Sequence, residues 1–217
     1  MARLVVFDMD GVLADCQSSW VQVHKYFGVS NDHSLEAYLR GDIDDLEFMR
    51  SDIRLWTQKE PGITADRICD ILSKVPLMPG AREAVRGLRK AGFKTAVVSA
   101  GIDLLADRIA DELSIDVRLA NGLVLDDKCR LLGDGILRVR LMDKGDAVTE
   151  AGKAVGAEKK DIISVGNSIY DVSMFERSSF GIAFCPSDDE IKKKAGAVVD
   201  VKNLSKILDV IDSHTRR

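Results

Sequence analysis

Four consecutive β-prone residues, Leu4-Val5-Val6-Phe7, run without a polar break into Asp8-Met9-Asp10-Gly11, the pattern of a buried strand that ends in a polar turn. From about Cys16 to Ile71 the period becomes helical. Trp20, Val21, Val23, Tyr26 and Phe27 are spaced for one helix face ahead of Gly28, a natural stop, and residues 43–56 and 65–72 repeat the pattern. No strand is expected in this stretch. Pro79-Gly80 punctuates the chain, and strands and helices alternate from there: a helix over 81–91 closed by Gly92, a strand over 93–98 and a helix over 102–113. A strand with a hairpin is expected within 116–140, then a helix over 144–155, a strand over 162–165, a short helix from 171 and a strand over 180–184. Helical 190–195, a strand at 198–199 and a helix over 204–211 end the pattern.

This alternation predicts an α/β fold with a parallel sheet covered on both faces. The helical stretch inserted after the first strand would stand over the carboxyl edge of that sheet, where a lid excludes water from reactive species. At 217 residues the chain can form one domain with a large insertion, or two small ones.

Composition narrows the function classes. Net charge is −4 with no basic stripe, so nucleic-acid binding has no electrostatic support. No apolar run approaches the roughly 18 residues needed to cross a membrane, and the run at 4–7 leads into aspartates without a cleavage region, so no signal peptide is expected. Cys16, Cys69, Cys129 and Cys185 are widely spaced, with no CxxC. The expectation is four reduced thiols in a cytoplasmic protein. Only three histidines occur, one of them close to the C-terminus, which argues against a His-based catalytic triad.

Candidate chemistry sits at the ends of the expected strands. Open α/β sheets collect their chemistry at the carboxyl ends of strands, and Asp8 and Asp10, two positions apart, can face one cavity while the chain stays extended. The pair reads either as nucleophile and acid/base or as an acidic strand-to-loop transition. Ser99-Ala100-Gly101 ends the second strand as a small, open turn that could give hydroxyl and amide donors to a phosphate; taken alone, Ser99 reads first as an ordinary helix N-cap. Lys144 at a helix start opposes the helix dipole unless an anion lies close. Gly166-Asn167-Ser168-Ile169-Tyr170-Asp171 leaves another strand with oxygen ligands four apart, suited to Mg²⁺ or to ordinary turn capping. An EF-hand fails because the glycine of Asp8-Met9-Asp10-Gly11 comes too early and Ser19 stands where its last acidic ligand belongs. GxGxxG, Walker A and GxSxG patterns are absent.

In this order and placement, these motifs resemble those of the haloacid dehalogenase superfamily, and within it the phosphoserine phosphatases. The similarity runs through Phe7-Asp8-Met9-Asp10, Val97-Val98-Ser99-Ala100-Gly101, Lys144-Gly145-Asp146, Val165-Gly166 with Asp171, Ser173-Met174-Phe175 and Ile182-Ala183-Phe184-Cys185. The resemblance implies a Rossmann-like core of residues 1–14 and 77–217 and a small helical cap of residues 15–76. It implies a Mg²⁺-dependent phosphatase acting on a small phosphorylated metabolite, phosphoserine first among candidates, as a monomer or homodimer with no nucleic-acid or membrane partner. Asp8 would be the nucleophile and a metal ligand. Asp10 would be the acid/base and bind metal through its carbonyl. Ser99 with the amides of Ala100 and Gly101 would hold phosphate, Lys144 would bridge phosphate and Asp8, and Asp171 would ligate Mg²⁺, directly or through water.

Two departures stand out. Asn167 replaces the usual aspartate, which removes one negative charge from the metal ligands. Gln17 stands where a glutamate usually reads the substrate ammonium, and the cap arginine for a substrate carboxylate would be Arg50 or Arg54, unless both belong to a solvated helix face. A phosphotransferase or mutase using the same aspartyl-phosphate, and a catalytically weak phosphate-binding regulator, remain open at this stage. Dehalogenation gives Asp10 no task.

Overall fold

The structure, a computed structural model, describes residues 3–216; Met1, Ala2 and Arg217 of the expected core lie outside them. The chain opens with β1 (Arg3–Phe7) and then forms four helices, α1 (Ser19–Phe27), α2 (Asp32–Arg40), α3 (Asp45–Lys59) and α4 (Ala65–Leu72). It continues with α5 (Ala81–Lys90), β2 (Phe93–Ile102), α6 (Asp103–Leu113), β3 (Val117–Leu125), β4 (Leu131–Ile136) and α7 (Gly145–Val155). Then come β5 (Ile162–Gly166), α8 (Val172–Glu176), β6 (Phe180–Phe184), α9 (Asp189–Lys194), β7 (Ala197–Val199) and α10 (Ile207–Thr215).

The sheet order is β4-β3-β2-β1-β5-β6-β7, parallel throughout except for the β3–β4 hairpin. β1 is central and needs apolar residues on both faces, which is why its sequence does not alternate. Val5 and Phe7 enter the layer under α5, α6 and α10, while Leu4 and Val6 enter the layer under α7, α8 and α9. Chain order reverses at β1: β2 lies on one side and β5 on the other, with Phe7 opposite both Val97 and Val165. That is the switch point at which open α/β sheets bind ligands.

The four inserted helices cover this edge, three of them where the pattern predicts. Ile53, Trp56, Ile68 and Leu72 share one apolar cluster with Val5, Phe7 and Val97, so the lid packs into the core it covers. The hairpin grips it from the far side. Leu131 donates its amide to the Ile63 carbonyl at 2.9 Å, and Arg50 forms a two-pronged ion pair with Asp134 at 2.9 and 3.1 Å.

Three departures from the sequence pattern have physical reasons. α2 is absent from the expectation because its apolar face is short, Leu35, Tyr38 and Leu39, and only Tyr38 of it is buried. β2 continues through Ser99 to Ile102 rather than turning at 98, with an irregularity that brings Ile102 opposite Asn121. Ser99 is therefore neither in an open turn nor a helix cap. Last, helix α7 starts at Gly145, with Lys144 as the residue just before it. Among the described residues all four cysteines are free, and no helix is long and apolar enough to cross a membrane.

Candidate active site

Asp8 leaves the end of β1 with its amide on the Val165 carbonyl at 2.9 Å, which pins the side chain between β2 and β5. The chain then turns tightly. The Met9 carbonyl accepts from the amides of Leu13 and Ala14, and Gly11 adopts φ +80°, where a side chain would also collide with Asn167. This turn places Asp10 beside the start of α1. Asp10 Oδ2 accepts from both the amide and the hydroxyl of Ser19 at 3.0 Å, and Oδ1 from Cys16 Sγ at 3.4 Å.

Lys144 Nζ lies 2.9 Å from Asp8 Oδ1 and 2.7 Å from Asp171 Oδ1, and all three side chains are at most 5% exposed. Asp171 Oδ2 takes the amides of Asn167 and Ser168 at 2.8 and 3.1 Å. A Cβ on Gly166 would run into Asp171, so only glycine allows this approach. Burial and the neighbouring Asp171 push the Asp8 carboxyl up to about 7 against the pull of Lys144. Burial likewise raises Asp10, against its bonds to Ser19 and Cys16. Lys144 is buried too, yet Asp171 and Asp8 hold its ammonium above the ordinary range, so it stays charged.

A cavity of about 530 Å³ opens above this cluster, between the sheet edge and the inserted helices. Asp8, Asp10, Ser99, Ala100, Gly101, Lys144 and Asn167 line its floor, and Gln17 reaches its wall. Ser99 Oγ, almost fully buried, accepts from the Gly101 amide at 3.1 Å and keeps its own proton to donate. The Gly101 amide is thus spent inside the segment and is not an open phosphate donor. The Ala100 carbonyl is drawn aside by Trp20 Nε1 and Asn121 Nδ2 at 3.0 and 3.1 Å.

Two other expectations need correction. Arg50 is turned away and held by Asp134, and exposed Arg54 is not among the cavity-lining residues, so neither is placed to read a substrate carboxylate. Asp171 is fully buried with both oxygens engaged, and it does not reach the cavity; it holds Lys144 from below.

Among the described residues no three His, Cys, Asp or Glu side chains converge as a metal-ligand set. The donors left at the floor are the Asp8 carboxylate, the Asp10 carbonyl and the Asn167 side chain, whose amide makes no hydrogen bond among the described residues. A hard divalent ion that keeps several waters suits such oxygen donors. The Asp8 and Asp171 carboxylates also share one ammonium, with Asp10 close by, so negative charge outnumbers positive in this cluster. The residues present fit Mg²⁺.

Sequence reasoning missed the roof. Asp52 is buried on α3 and accepts from His24 Nε2 at 2.8 Å and Asn31 Nδ2 at 2.6 Å. Trp56 Nε1 can only donate, and it meets His24 Nδ1 at 2.9 Å, so the ring proton of His24 sits on Nε2 and points at Asp52. A signal was there. Met49, Asp52, Ile53 and Trp56 fall at i, i+3, i+4 and i+7, so Asp52 is a carboxylate on an apolar stripe.

A family model described as haloacid dehalogenase-like hydrolase matches residues 5–176. A phosphoserine phosphatase of Archaeoglobus fulgidus is 32% identical over 214 residues, which cover 96% of this chain and 60% of that protein. One from Idiomarina loihiensis is 30% identical over 211 residues, covering 94% and 91%. Among solved structures, a phospho-aspartyl intermediate analogue of phosphoserine phosphatase superposes with a TM-score of 0.81 at 25% identity, covering 96% of this chain and 98% of that one.

Proposed function

The chain belongs to the haloacid dehalogenase-like hydrolase family, and on that premise we propose that it hydrolyses a small phosphomonoester through Asp8 with Mg²⁺ as cofactor. Phosphoserine is the candidate that the relatives' names put forward. The observation that carries the reading is the Asp8–Lys144–Asp171 cluster at the carboxyl end of the central strand, under a covered cavity.

Lys144 holds Asp8 by Oδ1, which orients the carboxylate and leaves Oδ2 to attack phosphorus. As the Asp8–phosphorus bond forms, the bond to the alcohol oxygen breaks, and Asp10 supplies the proton that this oxygen needs. Burial raises Asp10 in the direction an acid requires. Water then attacks phosphorus, Asp10 takes back a proton, and the acyl-phosphate bond to Asp8 breaks, which restores both carboxylates. The Ser99 hydroxyl and the Lys144 ammonium face the charge that develops on the phosphoryl oxygens. Asp8, the Asp10 carbonyl and Asn167 would hold Mg²⁺, which when bound withdraws charge from the phosphoryl group. The inserted helices exclude bulk water from the acyl-phosphate.

The test is release of inorganic phosphate from p-nitrophenyl phosphate in Mg²⁺ buffer with no acceptor other than water. Turnover by the wild type and its loss in Asp8→Asn are expected. Retained turnover in Asp8→Asn refutes the nucleophile, and transfer only to an added alcohol points to a phosphotransferase.

A further inference from the structure

We propose that the alcohol half of the substrate carries a positive charge and no carboxylate, which makes the preferred ester an aminoalkyl phosphate. This rests on the phosphatase reading above. The charges lining the cavity carry the inference. Its floor holds the reacting carboxylates and Lys144, whose ammonium is already committed to Asp8 and Asp171. Away from the floor, Asp32, Asp45 and Asp52 line the cavity, and no arginine does. The arginine best placed in sequence to supply a cation, Arg50, is tied to Asp134 on the hairpin.

Asp52 is the centre of this end. It is 3% exposed, so it is buried with little water to solvate its charge. Its Oδ1 takes both the His24 and the Asn31 bonds, and its Oδ2 accepts from no donor among the described residues. His24 cannot offset it by a second ring proton while Nδ1 is occupied by the Trp56 N–H. Trp20, Phe48 and Tyr170 add aromatic surface to the same wall, and aromatic faces beside a carboxylate favour a cation. A carboxylate placed here would meet like charge without a partner; an ammonium would meet Asp52 directly. The neutral Gln17 suits either end group and does not decide between them.

The experiment compares kcat/KM of the purified wild type in Mg²⁺ for four esters: O-phosphoethanolamine, O-phosphoserine, phosphoglycolate and p-nitrophenyl phosphate. The first two differ only by the carboxylate. Phosphoethanolamine is expected to exceed phosphoserine by about tenfold or more, the cost of burying one carboxylate without a partner, with phosphoglycolate poorest. Asp52→Asn should narrow the ratio of phosphoethanolamine to phosphoglycolate, and Asp52→Arg should invert it; ratios within one variant cancel any loss of folded protein. A wild type that hydrolyses p-nitrophenyl phosphate but handles phosphoserine as well as phosphoethanolamine overturns this inference and leaves the phosphatase reading standing. Hydrolysis of none of the four overturns both. An unchanged ratio in Asp52→Asn overturns the role given to Asp52.

Discussion

Replacing Asp171 by asparagine separates a ligand of the metal from an anchor of Lys144. The side chains have almost the same shape, so the change opens no cavity, and its cost is electrostatic. Asp171 accepts on both oxygens, from Lys144 Nζ on one and from the amides of Asn167 and Ser168 on the other. Asparagine has one acceptor oxygen. If that oxygen faces the amides, the NH₂ faces the ammonium, and a charge-assisted bond becomes a donor–donor contact. Breaking a buried ion pair outright costs about 3–5 kcal/mol, but Asp8 still pairs with Lys144 at 2.9 Å. The expected loss is therefore about 3 kcal/mol, the top of the range for one hydrogen bond to a charged group. In a protein of this size that corresponds to a fall in Tm of about 6–12 °C.

The assay is thermal unfolding followed by circular dichroism in EDTA, so that no metal contributes, together with the Mg²⁺ dependence of p-nitrophenyl phosphate turnover. As an anchor, Asp171→Asn should lower the metal-free Tm by that amount and reduce kcat at least about tenfold, because Lys144 loses its second support. A metal-free Tm within about 2 °C of wild type, less than 1 kcal/mol by the same conversion, with only a raised Mg²⁺ requirement, would refute the anchor and restore Asp171 as a ligand.

Three further outcomes are expected. Asn167→Asp adds the charge that the metal ligands lack, so the Mg²⁺ concentration for half-maximal activity should fall by about tenfold; equal requirements in a metal titration would refute the assignment. Arg50→Ala should cost little stability, since its pair with Asp134 is half-exposed, and neither it nor Arg54→Ala should change KM for phosphoserine; a KM raised tenfold by either would return a cap arginine to the site. In ¹⁵N-resolved spectra at neutral pH, His24 should carry its ring proton on Nε2, and Trp56→Phe should release Nδ1 from its hydrogen bond; a proton on Nδ1 in the wild type would contradict the pairing with Asp52.

The floor of the site was legible in sequence because the backbone alone determines it. A parallel sheet that reverses at β1 brings the ends of β1, β2 and β5 together whatever the side chains do. Residues just past the last rungs at which these strands pair with β1, Asp8, Ser99 and Asn167, must therefore meet, and reading the strands was enough to collect them. Detail failed where two backbone outcomes share one pattern. Ser99-Ala100-Gly101 suits a turn or an irregular strand, and only pairing with β3 selects the strand. Asp171 looks like a ligand by spacing, while the approach that Gly166 allows turns it toward Lys144.

The roof follows no such rule. Its helices are placed by side-chain packing, through Trp56 stacked on Trp20 and the hairpin's grip on α3, and periodicity says which face of a helix is buried but not what it faces. Arg50 lies one position past Met49 and reads as available; it is spent only because the hairpin, more than eighty residues later, supplies Asp134. Asp52 reads as a flaw in an apolar stripe until α1 and the Asn31 turn surround it with donors. The reaction thus rests on residues whose meeting the strand order enforces, whereas the choice of alcohol rests on residues that only tertiary packing brings together. One catalytic floor can for that reason serve different esters, and similarity across the motifs carries the chemistry further than it carries the substrate.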